Sequence, residues 1–176
     1  MKTFSALLAV LALLAAPLAA QGSSKSATAT ASIHVDGALT LATTQNIDYG
    51  TVFSNAGVLH SSSIPTQAMW TGNVSAGATL SISVAVPPSL SDGVGHTLTF
   101  ACGNNTAFVS SDAGSTVFFS PSTGLSSYPI AATSTGAFVI HLGQDTPGCT
   151  LDVGSLQSGG LFKTYTGNIV TTVTVL

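Results

Sequence analysis

The chain has almost no charge: it contains no Arg and no Glu, and its charged residues are three Lys and six Asp among 176. Nucleic acids and anionic membranes are bound through clusters of basic side chains, so this composition excludes an electrostatic attraction to either. The surface must instead be built from Ser, Thr, Asn, Gln and Gly. Because such a surface gives little charge repulsion between copies, we expect a protein that associates.

The chain also lacks a motif for catalysis or metal binding. Its four histidines, His34, His60, His96 and His141, have no ligand spacing within one element. His34 and Asp36 in "HVD" could together orient a general base. The nearest approach to a nucleophile elbow, "NVSAG", lacks the first Gly of G-x-S-x-G. We therefore predict a protein that is not an enzyme and uses no cofactor or metal, with a hydrolase built on the "HVD" pair as an alternative.

The first twenty residues read as a secretory signal peptide, residues 1–20. Lys2 supplies the positive start, "FSALLAVLALLAAPLA" the apolar stretch, and "LAA" the small residues before a cut after Ala20. A membrane-spanning helix is not expected, because Pro17 breaks the run and the polar "QGSSKS" follows it. The sequence thus predicts an exported protein, either secreted or held at the cell surface, with no membrane insertion once the signal is removed.

Two cysteines, Cys102 and Cys149, are the only ones in the chain. An even number in an exported protein favours one disulfide. A bridge across a loop of about 48 residues is worth roughly 4 kcal/mol on the loop-entropy model. Two unpaired thiols are the alternative.

After residue 22 the apolar residues alternate with period 2 between turn signals, which is typical of β-strands. Residues 87–95 and 121–136 read as irregular connections. The pattern predicts an all-β sandwich of one domain over residues 37–176. The expected strands are 26–35, 38–42, 47–53, 68–74, 78–86, 96–102, 107–111, 116–120, 137–143, a short strand within 149–157, and 165–176.

The two terminal segments are long, alternating and nearly uncharged, whereas strands at sheet edges are usually protected by charge, Pro or bulges. Residues 21–36 form an N-terminal extension that could act as a donor strand for another subunit. One face of that strand would carry Ala27, Ala29, Ala31, Ile33 and Val35. The C-terminal edge strand would carry Ile169, Thr171, Val173 and Val175. The alternative is that both segments pair inside their own sandwich.

Three stretches resemble a known group of proteins: "IDYGTVF", "TGNVSAGATLSISV" and the closing "CTLDVGSLQSGGLFKTYTGNIVTTVTV". They are similar to exported bacterial pilin-like domains of uncharacterised function, related to spore coat protein U and to chaperone–usher fimbrial subunits. The resemblance implies an immunoglobulin-like Greek-key sandwich, a homopolymer, and a periplasmic chaperone and usher as further partners. Fimbrial subunits usually have a penultimate Tyr where this chain has Val175, so a self-complete sandwich stays open.

From these features we predict a structural subunit of an extracellular bacterial filament, fimbria or surface coat, joined by β-strand addition. The alternative is a monomeric secreted adhesin or carbohydrate-binding sandwich. In that case a glycan would bind near Trp70 and the connection 121–136.

Overall fold

The computed structural model describes residues 38–53, 56–64, 66–112, 116–144, 148–155 and 163–176, which form twelve β-strands, two single 3₁₀ turns and no α-helix. The two turns are Ser61–Ser63 and Val153–Ser155. The strands are β1 Thr40–Gln45, β2 Val58–His60, β3 Ala68–Asn73, β4 Thr79–Ala85, β5 Ser89–Ser91, β6 Thr97–Cys102, β7 Ala107–Ser111, β8 Thr116–Phe119, β9 Leu125–Pro129, β10 Ala137–Leu142, β11 Cys149–Asp152 and β12 Val170–Val175.

The strands form three antiparallel sheets, with the orders β1-β3-β10-β7-β8, β2-β11-β6-β5 and β12-β4-β9. The alternation of apolar and polar residues determines which face of each sheet is buried, because successive side chains of a strand point to opposite sides. In β10, Phe138, Ile140 and Leu142 are buried, whereas the residues between them are half-buried. The five-stranded sheet therefore has one core face and one outer face.

The inward-facing side chains of all three sheets belong to one apolar core. The five-stranded sheet contributes Trp70 and Ile140, the three-stranded sheet Ile82 and Tyr128, and the four-stranded sheet Phe100. The arrangement is sandwich-like, with the five-stranded sheet as one layer and the two smaller sheets as the other.

The two smaller sheets are joined because β4 and β5 follow one another directly across Pro87 and Pro88. Neither proline can donate a backbone hydrogen bond, so the ladder is interrupted there. Beyond the interruption, Ser91 and Thr166 exchange two N–H···O bonds of 2.9 Å. The segment that leads into β12 thus pairs with β5, and β12 then pairs with β4.

The disulfide between Cys102 and Cys149 is present, as the sequence predicts. The two residues stand directly opposite each other in the β6–β11 ladder. The bridge therefore links neighbouring strands of the four-stranded sheet. The all-β prediction is also confirmed, because the described elements are strands and two single 3₁₀ turns.

Four details of the sequence-based prediction are wrong. Residues 47–53 do not form a strand: the Asp48 carboxylate accepts a hydrogen bond from Gly50 N–H at 2.7 Å, and Gly50 has φ +67°, which turns the chain. The connection 121–136 contains β9, anchored by the fully buried Tyr128. The connection 87–95 contains β5, and β2 was not expected at all; both have only three residues.

Residues 1–37 lie outside the described residues, and with them the predicted signal peptide and the donor-strand candidates Ala27, Ala29, Ala31, Ile33 and Val35. The compact unit that contains the described strands runs from Asp36 to Leu176.

Gly72, in the middle of β3, provides a test of the packing between β1 and β10. A Cβ at this position would overlap the buried Phe138 ring and lie 2.5 Å from the Thr40 carbonyl oxygen. We expect Gly72→Ala to lower the free energy of unfolding by about 1–3 kcal/mol, as overpacking does. Gly103→Ala is the control, since its Cβ would meet only the Thr106 methyl at 3.8 Å. Equal urea midpoints for the two variants would contradict this packing.

Candidate functional site

A groove of about 670 Å³ runs between the two layers along one side of the molecule. One wall is formed by residues 43 and 46–49, at the end of β1 and just beyond it. The facing wall is formed by residues 165–170, which lead into β12. We call this feature the lateral groove.

The floor of the lateral groove is the core itself. Ala68, Trp70 and Phe100 line it, and each is at most 5% exposed. The half-buried Leu90 completes the apolar surface beside them. A side chain that entered the groove would therefore pack directly against the core of the sandwich.

The strand β12 borders the groove and has one unpaired edge within the described residues, since its neighbour there is β4 alone. Leu176 N–H donates to the Thr79 carbonyl at 2.9 Å, so every second residue from Leu176 backwards faces β4. In an antiparallel ladder the alternate residues point their N–H and C=O groups the other way. These are Thr171, Val173 and Val175.

The other edge strands of the described sheets are each interrupted or short. The β1 ladder shifts register between Thr43 and Gln45, and β9 contains Pro129. The edge strands β2, β5 and β8 have three, three and four residues. By contrast β12 keeps one register over six residues and contains no charge or Pro. Among the described strands it is therefore the edge best suited to pair with another strand.

A short loop after β5 supports the wall formed by residues 165–170. Asp92 accepts hydrogen bonds from the N–H groups of Val94 at 2.9 Å and His96 at 3.0 Å, and its second oxygen lies 2.6 Å from His96 Nδ1. Burial alone would raise the pKa of Asp92, but the hydrogen bonds from His96 and Val94 lower it to about 2. The loop is thus held next to Ser91, the residue that pairs with Thr166.

Tyr49 connects the wall formed by residues 43 and 46–49 to the disulfide-bonded strands. Its hydroxyl donates to the Cys149 carbonyl at 3.0 Å, and its ring meets Phe100 edge-on at 6.4 Å between centroids. Burial raises the pKa of Tyr49 to about 12, so the hydroxyl stays a donor. The fully buried Ser61 holds the same region, donating to Gly143 O at 2.6 Å and accepting from Cys149 N–H at 2.7 Å.

A second opening of about 700 Å³ lies between the junction of β4 and β5, the strand β6 and residues 121–122, which precede β9. Pro87, Pro88, Phe100 and Pro121 are among its lining residues, and no described lining residue carries an acid or a base. It therefore offers no group for proton transfer.

The titratable residues singled out in the sequence are dispersed. His60 ends β2, His96 precedes β6 and His141 lies in β10. No group of three His, Cys, Asp or Glu side chains suited to a metal occurs among the described residues. The pair His34 and Asp36 lies outside them, so the absence of an enzymatic function stays a prediction.

Of the C-terminal candidates, Ile169 and Val173 pack against the core, Thr171 is half-buried, and Val175 is 40% exposed. Trp70 is 5% exposed, belongs to the core and lies in the floor of the lateral groove. A glycan site near Trp70 stays a prediction.

Neither the wall formed by residues 43 and 46–49 nor the Asp92 loop was assigned to a site from the sequence. "SDGVGH" carries the signal of a turn with an Asp that binds following backbone N–H groups. No local signal links residues 46–49 with 165–170, because only the three-dimensional pairing brings them together.

Comparison of the chain with protein-family models, with curated proteins and with solved structures found no match. In the part of the chain that the structure describes, no helix has the length and apolar character needed to span a membrane.

The Asp92 loop gives a pH prediction. Because the pKa of Asp92 in the folded state lies below the ordinary value of 3.8, the carboxylate's contribution to stability is present above about pH 4 and disappears as the pH falls through about 2. We expect Asp92→Asn to lower the unfolding midpoint at pH 7 and to match the wild type near pH 2. Asp152→Asn controls for the loss of one carboxylate. A difference between wild type and Asp92→Asn that is the same at both pH values would contradict the assignment.

Proposed function

We propose that the protein is a non-enzymatic structural subunit of an extracellular bacterial filament, fimbria or surface coat, assembled by β-strand addition. In this proposal the lateral groove is the acceptor, and residues 26–35 of a second copy are the donor. The immunoglobulin-like, pilin-like Greek-key arrangement is part of the same proposal.

One observation carries the proposal: a groove whose floor is the apolar core and whose wall continues into the uncharged edge of β12. A strand placed there can form main-chain hydrogen bonds with that edge while its side chains enter the core. Any strand whose apolar and polar side chains alternate can form these main-chain hydrogen bonds and place side chains in the core. Neither contribution needs a charged or catalytic group.

The donor segment fits this geometry by pattern and length. Its apolar face has small Ala side chains first and the larger Ile33 and Val35 last. It has about ten residues, which is more than enough to pair along the six residues of β12, and those six span roughly 20 Å when extended. Burying Ile33 and Val35 is worth about 1.5–3 kcal/mol each, which is enough to favour one register.

The compartment is consistent with such an assembly. The disulfide between Cys102 and Cys149 is typical of oxidising environments outside the cytosol. An exported subunit would fold in the periplasm, where a chaperone could cover the β12 edge before assembly. In the alternative, a monomeric adhesin, the groove is left to the chain's own residues or to a small ligand.

The donor face can be tested at Ile33. We expect Ile33→Asp to abolish assembly, weakening association by at least about 100-fold, because it removes a buried side chain and places a charge against the core. The measurement is light scattering and an unheated detergent gel of the mature chain.

Ser32→Asp is the matched control, since Ser32 lies on the opposite face of the predicted strand and receives the same charge. Assembly that is lost equally in both variants would indicate a general effect of charge. Undiminished polymerisation of Ile33→Asp would exclude residues 26–35 as the donor.

The acceptor edge can be tested at Val173, whose N–H points away from β4. Val173→Pro removes that donor while leaving the β4-facing groups in place. Val173→Ala removes a similar amount of packing but keeps the N–H. We expect both variants to lose about 1 kcal/mol of stability and only the Pro variant to lose assembly, as measured by thermal unfolding and the same gel. Equal assembly of the two variants would contradict an acceptor edge at β12.

A further inference from the structure

The outer face of the five-stranded sheet carries a continuous row of large side chains. The pairing of adjacent strands places one residue of each strand side by side across the sheet. We call this the aromatic row; in order it contains Gln45, Met69, His141, Phe108 and Phe118.

The rings of the row are in contact. Phe108 stacks on His141 with centroids 4.5 Å apart and 14° between planes, and it meets Phe118 at 5.4 Å. Phe118 is 51% exposed although it is a large apolar side chain on a sheet face. The other four members are half-buried, so the row is a largely apolar, partly exposed strip on the outer face and not a part of the core.

The row and the row next to it on the same face carry no charge. The next row on the same face is small or hydroxylated. The charged residues that the structure describes, four Asp and Lys163, lie outside both rows. The second row consists of Ala42, Thr71, Val139, Ser110 and Thr116.

We propose that this face pairs with the same face of a second copy around a two-fold axis that passes near His141. The order of the row is self-complementary under such an axis. Phe108 then meets the partner's Met69, a favourable sulfur–aromatic pair, and Phe118 meets the partner's Gln45. Aromatic and Met side chains without charge are also the composition typical of the centre of a protein interface.

Charge favours a second copy as the occupant. The chain has a formal net charge of −3, so two copies approach best through these two rows, which carry no charge. Asp112 follows Ser110 by two residues on the same face, beyond the second row, and its carboxylate accepts hydrogen bonds from Thr135 N–H at 2.7 Å and from the Thr135 hydroxyl at 2.6 Å. The two rows themselves offer no group complementary to a basic or acidic partner. A flat sheet face also offers no concave pocket for a small ligand.

The size of the face predicts a weak contact. Five strands at about 4.8 Å spacing and some 17 Å along the strands give roughly 400 Å² per copy, below the size of a standard stable interface. The pairing is thus expected at high concentration, or where many subunits already stand in a row and the weak contacts act together. It does not depend on strand addition and would join filaments side by side.

Sedimentation of the mature chain carrying Ile33→Asp, from about 20 µM to 1 mM at pH 7.5, tests this without interference from strand addition. We expect a reversible monomer–dimer equilibrium. Adding Phe118→Lys should weaken it at least tenfold, because a charge is placed in the contact. Phe53→Lys, at a Phe that is 79% exposed and outside the row, should leave it unchanged.

A pH series gives a second readout. Burial lowers the pKa of His141, and the described residues that face it from β3 and β7, Met69 and Phe108, do not ionise. Acidification below the ordinary imidazole range should charge both His141 side chains at the axis and weaken the dimer, whereas His141→Gln should show less dependence on pH. A chain that stays monomeric to 1 mM, or equal effects of Phe118→Lys and Phe53→Lys, would overturn the proposal and leave the face to a different ligand. Loss of strand addition alone would not contradict the proposed pairing of the outer faces.

Discussion

An apolar core between two layers has to be closed wherever the edge of one layer meets the edge of the other. Along the side bordered by residues 43–49 and 165–170, the described residues leave Trp70 and Phe100 as the floor of a groove. A groove over the core is a site where an additional strand gains hydrophobic and main-chain contacts at once. The proposed assembly follows from this one constraint.

The composition of the chain also favours contacts between copies. With so few charges, the protein has few means to protect an edge strand by repulsion, and β12 contains no charge, Pro or bulge. The few ionisable side chains stabilise local structure instead, as Asp92 does with His96. The five-stranded sheet repeats the pattern on its outer face, where an aromatic row lies among hydroxyl groups. Both surfaces are suited to contacts between copies; in the two proposals, one contact runs along a filament and the other across it.

The strands with strong alternation were readable from the sequence. Residues 107–111 form β7 as predicted, and residues 96–102 contain β6, because each has apolar side chains on one face and turn residues at its ends. The disulfide was likewise predictable from the cysteine count and the expected compartment.

The remaining elements depend on tertiary contacts. The strand β9, "LSSYP", is polar apart from its ends and Tyr128, and it forms because β4 offers a pairing edge and the core accepts that ring. Residues 47–53 alternate like a strand, yet the Asp48–Gly50 turn breaks the ladder. The walls of the groove are far apart in the chain, so no window of sequence could bring Tyr49 next to Ile169.

The most direct test of strand addition is the size distribution of the mature chain with and without residues 21–36, by light scattering and unheated detergent gel. The account predicts a detergent-resistant ladder for the longer form that is absent from the shorter one. A compact monomer in both forms would contradict it and would indicate a sandwich that is complete in itself.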